Sequence, residues 1–400
     1  MILTLKIKLD SDIDLINTIK SYTDALNFIS RSEFSKGKYP TNNFKLHKEY
    51  YKIIREKFNL PSQLACSIFR DISAKYKANK HKKLSKAISF KETHVNYTFN
   101  RDFGLQDDIL KLTTSNGRKK IPIIFCDYYK KWMSQHIKIN DSTLIKTKHD
   151  IIYFCLSITV PEKNPIENGV TMGVDIGLSK LAVCSTNSGK TLVIPGGKVK
   201  DKKNKFQRIR TRLQSKGTRS AKRLLKKLSG RETRFMRDTN FCLVKQILNF
   251  AQINNVSNIG IEDLTGIRKS KLRKDQRRSL NSWSFYQFRF ILEYKSKLEG
   301  FLVSLFSPAY TSQACSQCGY TNKKNRKSQN RFKCLSCNYD INADINASQN
   351  IELLTRLQRS NLVDWASVNK PDGSNFDNKN YLCSLISEFR SKPTTSVVGS

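Results

Sequence analysis

The sequence predicts an α/β protein with a strand-rich N-terminal region interrupted by helices and a strand-rich C-terminal region holding a four-cysteine module. Three observations lead there. Period-2 alternation in ILTLKIKL (2–9) returns after residue 90 in HVNYTFN, RKKIPIIF and HDIIYFCLSITV, whereas the stretch between repeats at three- and four-residue spacing. VTMGVDIGLSKLAV and NIGIEDL read as strands that each carry an isolated acid, Asp175 and Glu262. Cys315, Cys318, Cys334 and Cys337 stand as C-x2-C-x15-C-x2-C, the spacing of two knuckles that present four thiolates to a structural Zn²⁺.

The elements come in order along the chain. From about Leu15 to Lys80 the pattern is helical; LHKEYYKIIREKF and PSQLACSIFRDISAKYKANK are its clearest parts, with Pro61 suited to a first turn. A strand at residue 2 that rejoins strands after residue 90 predicts a small β-barrel carrying a helical insertion. PEKNPIENG (161–169) is a linker by its Pro, Asn and Gly. VTMGVDIGLSKLAVCSTNSGKTLVIPGG gives two or three strands with Gly-marked turns. Residues 198–238 hold 17 Lys or Arg against three acids and only a thin seam of Leu213, Leu224, Leu225 and Leu228, which predicts a helix with most of its surface wet. An amphipathic helix (TNFCLVKQILNFAQINNV), the strand NIGIEDL, a basic loop (268–278), the helix SWSFYQFRFILEYKSKLEG and the strand FLVSLFS lead to the cysteines. A final helix spans about Ile341 to Leu357, and the tail from Gln358 to Ser400 is weakly patterned and expected to be mobile in part.

The charge is lopsided: 72 Lys plus Arg against 33 Asp plus Glu, a formal +39 over 400 residues. Such a field repels itself unless a polyanion neutralises it, and nucleic acid is the partner it points to. No run approaches 18 apolar residues and the N-terminus has no signal-peptide core, so the expectation is a cytoplasmic protein without a membrane partner. Cys66, Cys126, Cys155, Cys184, Cys242 and Cys383 are scattered, mostly in apolar settings, as in a reducing compartment.

A carboxylate near a buried strand costs several kcal/mol unless it is paired or holds a cation. Asp175 sits just before a Gly turn, Glu262 at the carboxyl end of its strand, and Asp344 at the start of the last helix. Each alone reads equally as a turn or cap residue. Together they are the oxygen ligands that Mg²⁺ or Mn²⁺ requires for phosphodiester cleavage. The zinc is expected to be structural, since four thiolates leave no open position. The loop KKNRKSQNR (323–331) adds a basic surface beside it. Trp283, Phe285, Tyr286 and Phe288 lie at a helical spacing that favours core packing over base stacking.

GVDIGLSKLAV, NIGIEDLTGIR, NSWSFYQFRFILEYKSKLEG, SPAYTSQACSQCGY and CNYDINADINASQNI resemble, in this order, the signatures of the transposon-encoded TnpB (OrfB) nucleases, relatives of the miniature type V CRISPR effectors. The resemblance covers residues 170–351 and is looser over 1–169. It implies an RNase-H-like (RuvC) nuclease domain (169–310 and 340–357) with an inserted zinc ribbon (311–339). Ahead of it would lie a wedge β-barrel (1–10 and 90–168) with a helical recognition insertion (11–89), and behind it a tail (358–400). By motif, Asp175, Glu262 and Asp344 are the metal-binding catalytic acids, Asp340 a supporting acid, and the four cysteines the zinc ligands. Asn338 stands where Gly usually comes after the last cysteine; Asn tolerates the left-handed conformation that position needs.

On that resemblance the chain would be a Mg²⁺- or Mn²⁺-dependent DNA endonuclease guided by RNA, nucleoid-associated if prokaryotic, with guide RNA and double- and single-stranded DNA as partners. The basic 198–238 helix would then face phosphates. The alternatives are an RNA-guided DNA-binding protein that does not cut, and a DNA transposase acting without RNA.

Overall fold

The structure, a computed structural model, describes residues 1–79, 81, 84–91, 94–147, 149–177, 179–264, 285–306 and 311–359. The chain divides into two compact units, Met1–Pro161 and Glu162 onward. The basic loop 268–278, Trp283, Cys383 and the tail from Ser360 lie outside the described residues.

In the first unit, β1 (Ile2–Leu9) runs antiparallel to β8 (Ile152–Thr159) over its whole length, Ile2 opposite Thr159 and Leu9 opposite Ile152. Alternation decides the faces: Leu5, Ile7 and Leu9 are buried with Ile152, Phe154, Leu156 and Ile158. Between β1 and β2 (His94–Tyr97) stand α1 (Ile13–Ser35), α2 (Asn43–Phe58) and α3 (Ser62–Ala78). Asp12 caps α1 by accepting from the amides of Asp14 and Leu15, Asn42 caps α2 likewise, and Pro61 precedes α3. Then come β3 (Phe103–Gln106), β4 (Ile109–Thr114), β5 (Gly117–Pro122), α4 (Asp127–Met133), β6 (Lys138–Ile139) and β7 (Ser142–Lys146).

The strands form two open sheets, β1-β8-β7-β2 with β6 also on β8, and β3-β4-β5. The expected closed barrel is corrected accordingly. Alternation marks a strand's faces but not its partner, and β3, β4 and β5 form a sheet of their own.

The second unit is built on one mixed sheet in the order β11-β10-β9-β12-β13: β9 (Val170–Asp175), β10 (Lys180–Thr186), β11 (Thr191–Pro195), β12 (Val256–Glu262) and β13 (Leu302–Phe306). The first three strands form an antiparallel meander; β12 then joins β9 in parallel and β13 joins β12 in parallel. This is the RNase-H-like arrangement that the resemblance implies. Helices α5 (Gly197–Lys216) and α6 (Arg219–Ile253) link β11 to β12, and α7 (Phe285–Glu299) precedes β13. The basic segment is therefore not one helix. Gly217, at φ 63°, ends α5, and Thr218 caps α6, which runs on without a break through TNFCLVKQILNFAQI. Only the second half of α6 has a continuous apolar face, and its Leu243, Val244, Ile247 and Ala251 pack with Met172, Val174, Ile259, Ile261, Phe288 and Leu292.

The opposite face of the sheet carries α8 (Ala343–Arg359). The seat is made by two glycines. A Cβ on Gly173 would lie 2.2 Å from the Glu352 nitrogen and the Ser348 oxygen, and one on Gly260 would lie 1.8 Å from Thr355 Oγ1. Buried polar pairs lock the helix there: Thr171 donates to Glu352 at 2.6 Å, and the hydroxyls of Ser185 and Ser348 meet at 2.7 Å. Between β13 and α8 the chain forms a small two-stranded ribbon, β14 (Arg331–Lys333) and β15 (Asp340–Asn342), around the cysteines.

Candidate metal centres and nuclease site

The four cysteine sulfurs lie within 4.8 Å of one another. Cys315 and Cys337 are 3.7 Å apart and Cys318 and Cys334 3.6 Å, close to the ~3.8 Å edge of a tetrahedron with Zn–S bonds of about 2.3 Å. Backbone amides of Gln317 and Ser336 donate to the Cys315 and Cys334 sulfurs, each at 3.4 Å. The residue after each knuckle is left-handed, Gly319 at φ 78° and Asn338 at φ 58°, so the asparagine does fill the glycine position. The donor set fits Zn²⁺.

The carboxylates are set by strand register. Gly260 stands beside Gly173 and Ile261 beside Val174 across the parallel pair, so one step further Glu262 stands beside Asp175. Each acid comes two residues after its glycine and so shares the face that α8 covers. Asp344 arrives in the first turn of α8, where Asn342 caps the helix by accepting from the Asp344 amide at 3.1 Å. Burial, and after it the charges of Glu262 and Asp344, push the Asp175 carboxyl up to about 8. Burial raises Glu262 as well, against a 2.5 Å hydrogen bond donated by Thr311. The three do not close into a tight cluster: among the described residues only the cysteines bring three or more ligand atoms mutually within 4.8 Å. A buried Asp175 pushed up by its two carboxylate neighbours is the donor chemistry a divalent cation relieves, and the set fits Mg²⁺ or Mn²⁺.

Two cations meet this site that sequence reading missed. Lys180, at the start of β10, lies 3.2 Å from Asp344, and Arg326, from the loop between the knuckles, lies 3.6 Å from it. Arg326 also counters the upward push on Asp175 and Glu262. A ribbon arginine has no sequence signal beyond its basic neighbours. Asp340, expected in support of the acids, is instead exposed and held by Arg331 at 2.7 Å. Asn346 and Asn350, within the last signature, tie α8 to the first knuckle: Asn346 donates to Ala314 oxygen at 2.8 Å and accepts from the Ser316 amide, while Asn350 donates to the Thr311 and Ala314 oxygens.

With this geometry in view, comparison with known proteins is direct. Residues 153–268 match the OrfB family of IS605, described as "Probable transposase", and residues 285–351 match the Cas12f1-like TNB domain. A TnpB-like protein of Methanocaldococcus jannaschii is 32% identical over 267 residues, 62% of this chain and 91% of that protein. The chain belongs to the TnpB family.

A CRISPR-associated endodeoxyribonuclease Cas12f1 of Syntrophomonas palmitatica is 30% identical over 209 residues, 49% of this TnpB-family chain and 41% of that enzyme, so the chain spans less than half of it. The mini-RNA-guided endonuclease CRISPR-Cas_phi3 shares the fold, with a TM-score of 0.51 at 12% identity over 88% of this chain and 92% of that one.

Other expectations divide. No described helix of this TnpB-family chain is long and apolar enough to cross a membrane. Cys184 is buried, but Cys126 and Cys242 are exposed rather than apolar-packed. Phe288 is core, whereas Tyr286 is exposed.

Proposed function

We propose that this TnpB-family protein is an RNA-guided DNA endonuclease that hydrolyses phosphodiester bonds with a divalent metal, in a mobile-element or compact CRISPR setting. The observation that carries this reading is the register that sets Glu262 beside Asp175 while α8 brings Asp344 to the same end of the sheet. Asp175, Glu262 and Asp344 would hold Mg²⁺ or Mn²⁺. Such a cation, when bound, supplies Lewis-acid stabilisation of the scissile phosphate and an activated water. Thr311 orients Glu262 by its hydrogen bond, and Asn342 fixes the helix turn that presents Asp344. Lys180 and Arg326 stand beside Asp344, where their charges also complement an incoming phosphate. Zn²⁺ on the four cysteines would hold the loop that carries Arg326.

The charge of +39 suits a long guide–target duplex, with the exposed Lys and Arg of α5 and the first half of α6 as phosphate contacts. The names of the Cas12f1 relatives agree with DNA as substrate. The test is to purify the protein, sequence any RNA that accompanies it, and offer DNA matching that RNA with and without Mg²⁺. Cleavage that needs both RNA and metal is the expected result. Tight guided binding without cleavage would mean a silent binder, and strand transfer without RNA a transposase.

A further inference from the structure

We infer that Tyr286 and Phe290 form a stacking ledge for unpaired bases of single-stranded DNA, at the carboxylate end of the nuclease sheet. The inference rests on the proposed nuclease reading and adds to it a site that handles the strand.

The placement comes from topology. Helix α7 precedes β13, which runs parallel to β12 with Phe306 beside Glu262. The helix returns along the sheet, so its first turns lie at the end where Asp175 and Glu262 sit. The guanidinium of Arg289 fixes that position, donating to Asp263, the neighbour of Glu262, at 3.4 Å. One residue after Arg289 and three before it, Phe290 and Tyr286 are 57% and 78% exposed. Neither is needed by the core, which takes Phe288, Ile291 and Leu292 from the same helix.

The two exposed rings continue a ladder. Tyr286, Phe290 and Tyr294, the last packed partly on the core, recur every fourth residue, about 6 Å apart along the axis, and Tyr286 and Phe290 lie at a spacing that an extended single strand can track. Phe290 and Tyr294 have centroids 5.8 Å apart. Helix α6 lies alongside, joined through Asn240 and Gln287, and adds Phe241 with the Arg237 guanidinium 5.7 Å from its ring. Lys295 sits 5.8 Å from both the Phe241 and Tyr294 rings. Lys245 and Lys297 are exposed on the same two helices. Against these cations stand Asp238, and Glu293, which Arg289 engages at 2.7 Å. Aromatic faces rimmed by positive charge complement unpaired bases on a phosphate chain; a duplex keeps its base faces covered and offers the rings nothing.

The test uses the full chain, as purified, in buffer free of Mg²⁺ and Mn²⁺ and without chelator, so that nothing is cut and the cysteine site is left intact, with fluorescein-labelled oligo(dT), oligo(U) and a DNA duplex of equal length. Tyr286→Ala and Phe290→Ala should each weaken oligo(dT) binding about ten-fold and the double variant more, with duplex binding within about two-fold of the parent. Tyr286→Phe and Phe290→Trp, which keep a ring, should restore it, and Ile253→Ala, another exposed apolar site, should change nothing. A double variant that binds oligo(dT) like the parent overturns the inference, as does an equal loss on duplex. So does tighter, ring-dependent binding of oligo(U), or a dimer that these substitutions split in sedimentation. The ledge is read from oligo(dT) binding without metal and the nuclease assignment from cleavage with metal, so the failure of one and the failure of the other give different results.

Discussion

Gly260 lies directly beside Gly173 across the parallel pair of β9 and β12, and α8 rests on both. Each glycine precedes a carboxylate by two residues, so the site's acids and the seat of the helix that delivers the third acid are parts of one surface. Gly173→Ala sets a Cβ against helix backbone, which cannot swing aside, and should cost about 3 kcal/mol. Urea midpoints check it, with Gly197→Ala, where a Cβ meets nothing within 4 Å, as the control.

Asp175→Asn, Glu262→Gln or Asp344→Asn should each lower cleavage by about a thousand-fold or more while RNA binding stays within a few-fold. A variant that cuts at the parental rate removes that residue from the site. Arg326→Ala should also slow cleavage, by about ten- to a hundred-fold, without releasing zinc. Cleavage time courses with elemental analysis of the same samples read both quantities.

Zinc removal should unfold the ribbon, because the binding free energy of such a site is folding free energy. Cys318→Ser, or chelation, is expected to abolish hydrogen-exchange protection over the ribbon and cleavage with it. Asn350→Ala is the finer probe. It strips donors from the Thr311 and Ala314 carbonyls, at about 2 kcal/mol, and should slow cleavage while the zinc content stays at one per chain.

In the first unit, Asp102 is 1% exposed and its Oδ2 has no hydrogen-bond partner. Burial pushes its carboxyl up to about 6, against the amide hydrogen bond from Thr98. A folded-state value above the unfolded 3.8 means that the folded chain holds the proton longer. Stability from this group is therefore full below about pH 4 and falls as pH rises to about 6, by about 3 kcal/mol. The difference in urea stability between the parent and Asp102→Asn should change across that window and be flat above it. A constant difference from pH 4 to 7 would rule this out.

What the sequence made legible was local. Spacing alone located the cysteines, and strand context singled out Asp175 and Glu262, because both signals live within a few residues. Alternation likewise found β1 and β8. It could not tell that β3, β4 and β5 pair among themselves, since partner choice depends on side chains far away in sequence. Gly217 was visible as a residue, but whether it interrupts a basic helix depends on a left-handed turn that periodicity does not encode. Arg326 and Lys180 escaped for the same reason: a cation among many cations becomes particular only when folding sets it beside Asp344. Asp340 shows the reverse, an acid in the right motif that turns outward to Arg331.

The third carboxylate sits on the last described helix, after the ribbon, while the first two belong to strands made earlier. A chain emerging from the ribosome would carry Asp175 and Glu262 well before it had Asp344. Until α8 reaches its glycine seat, the newborn protein would lack one of the three proposed cation ligands. Topology thus sets an order of assembly, in which the two strand acids wait for the helix that brings the third.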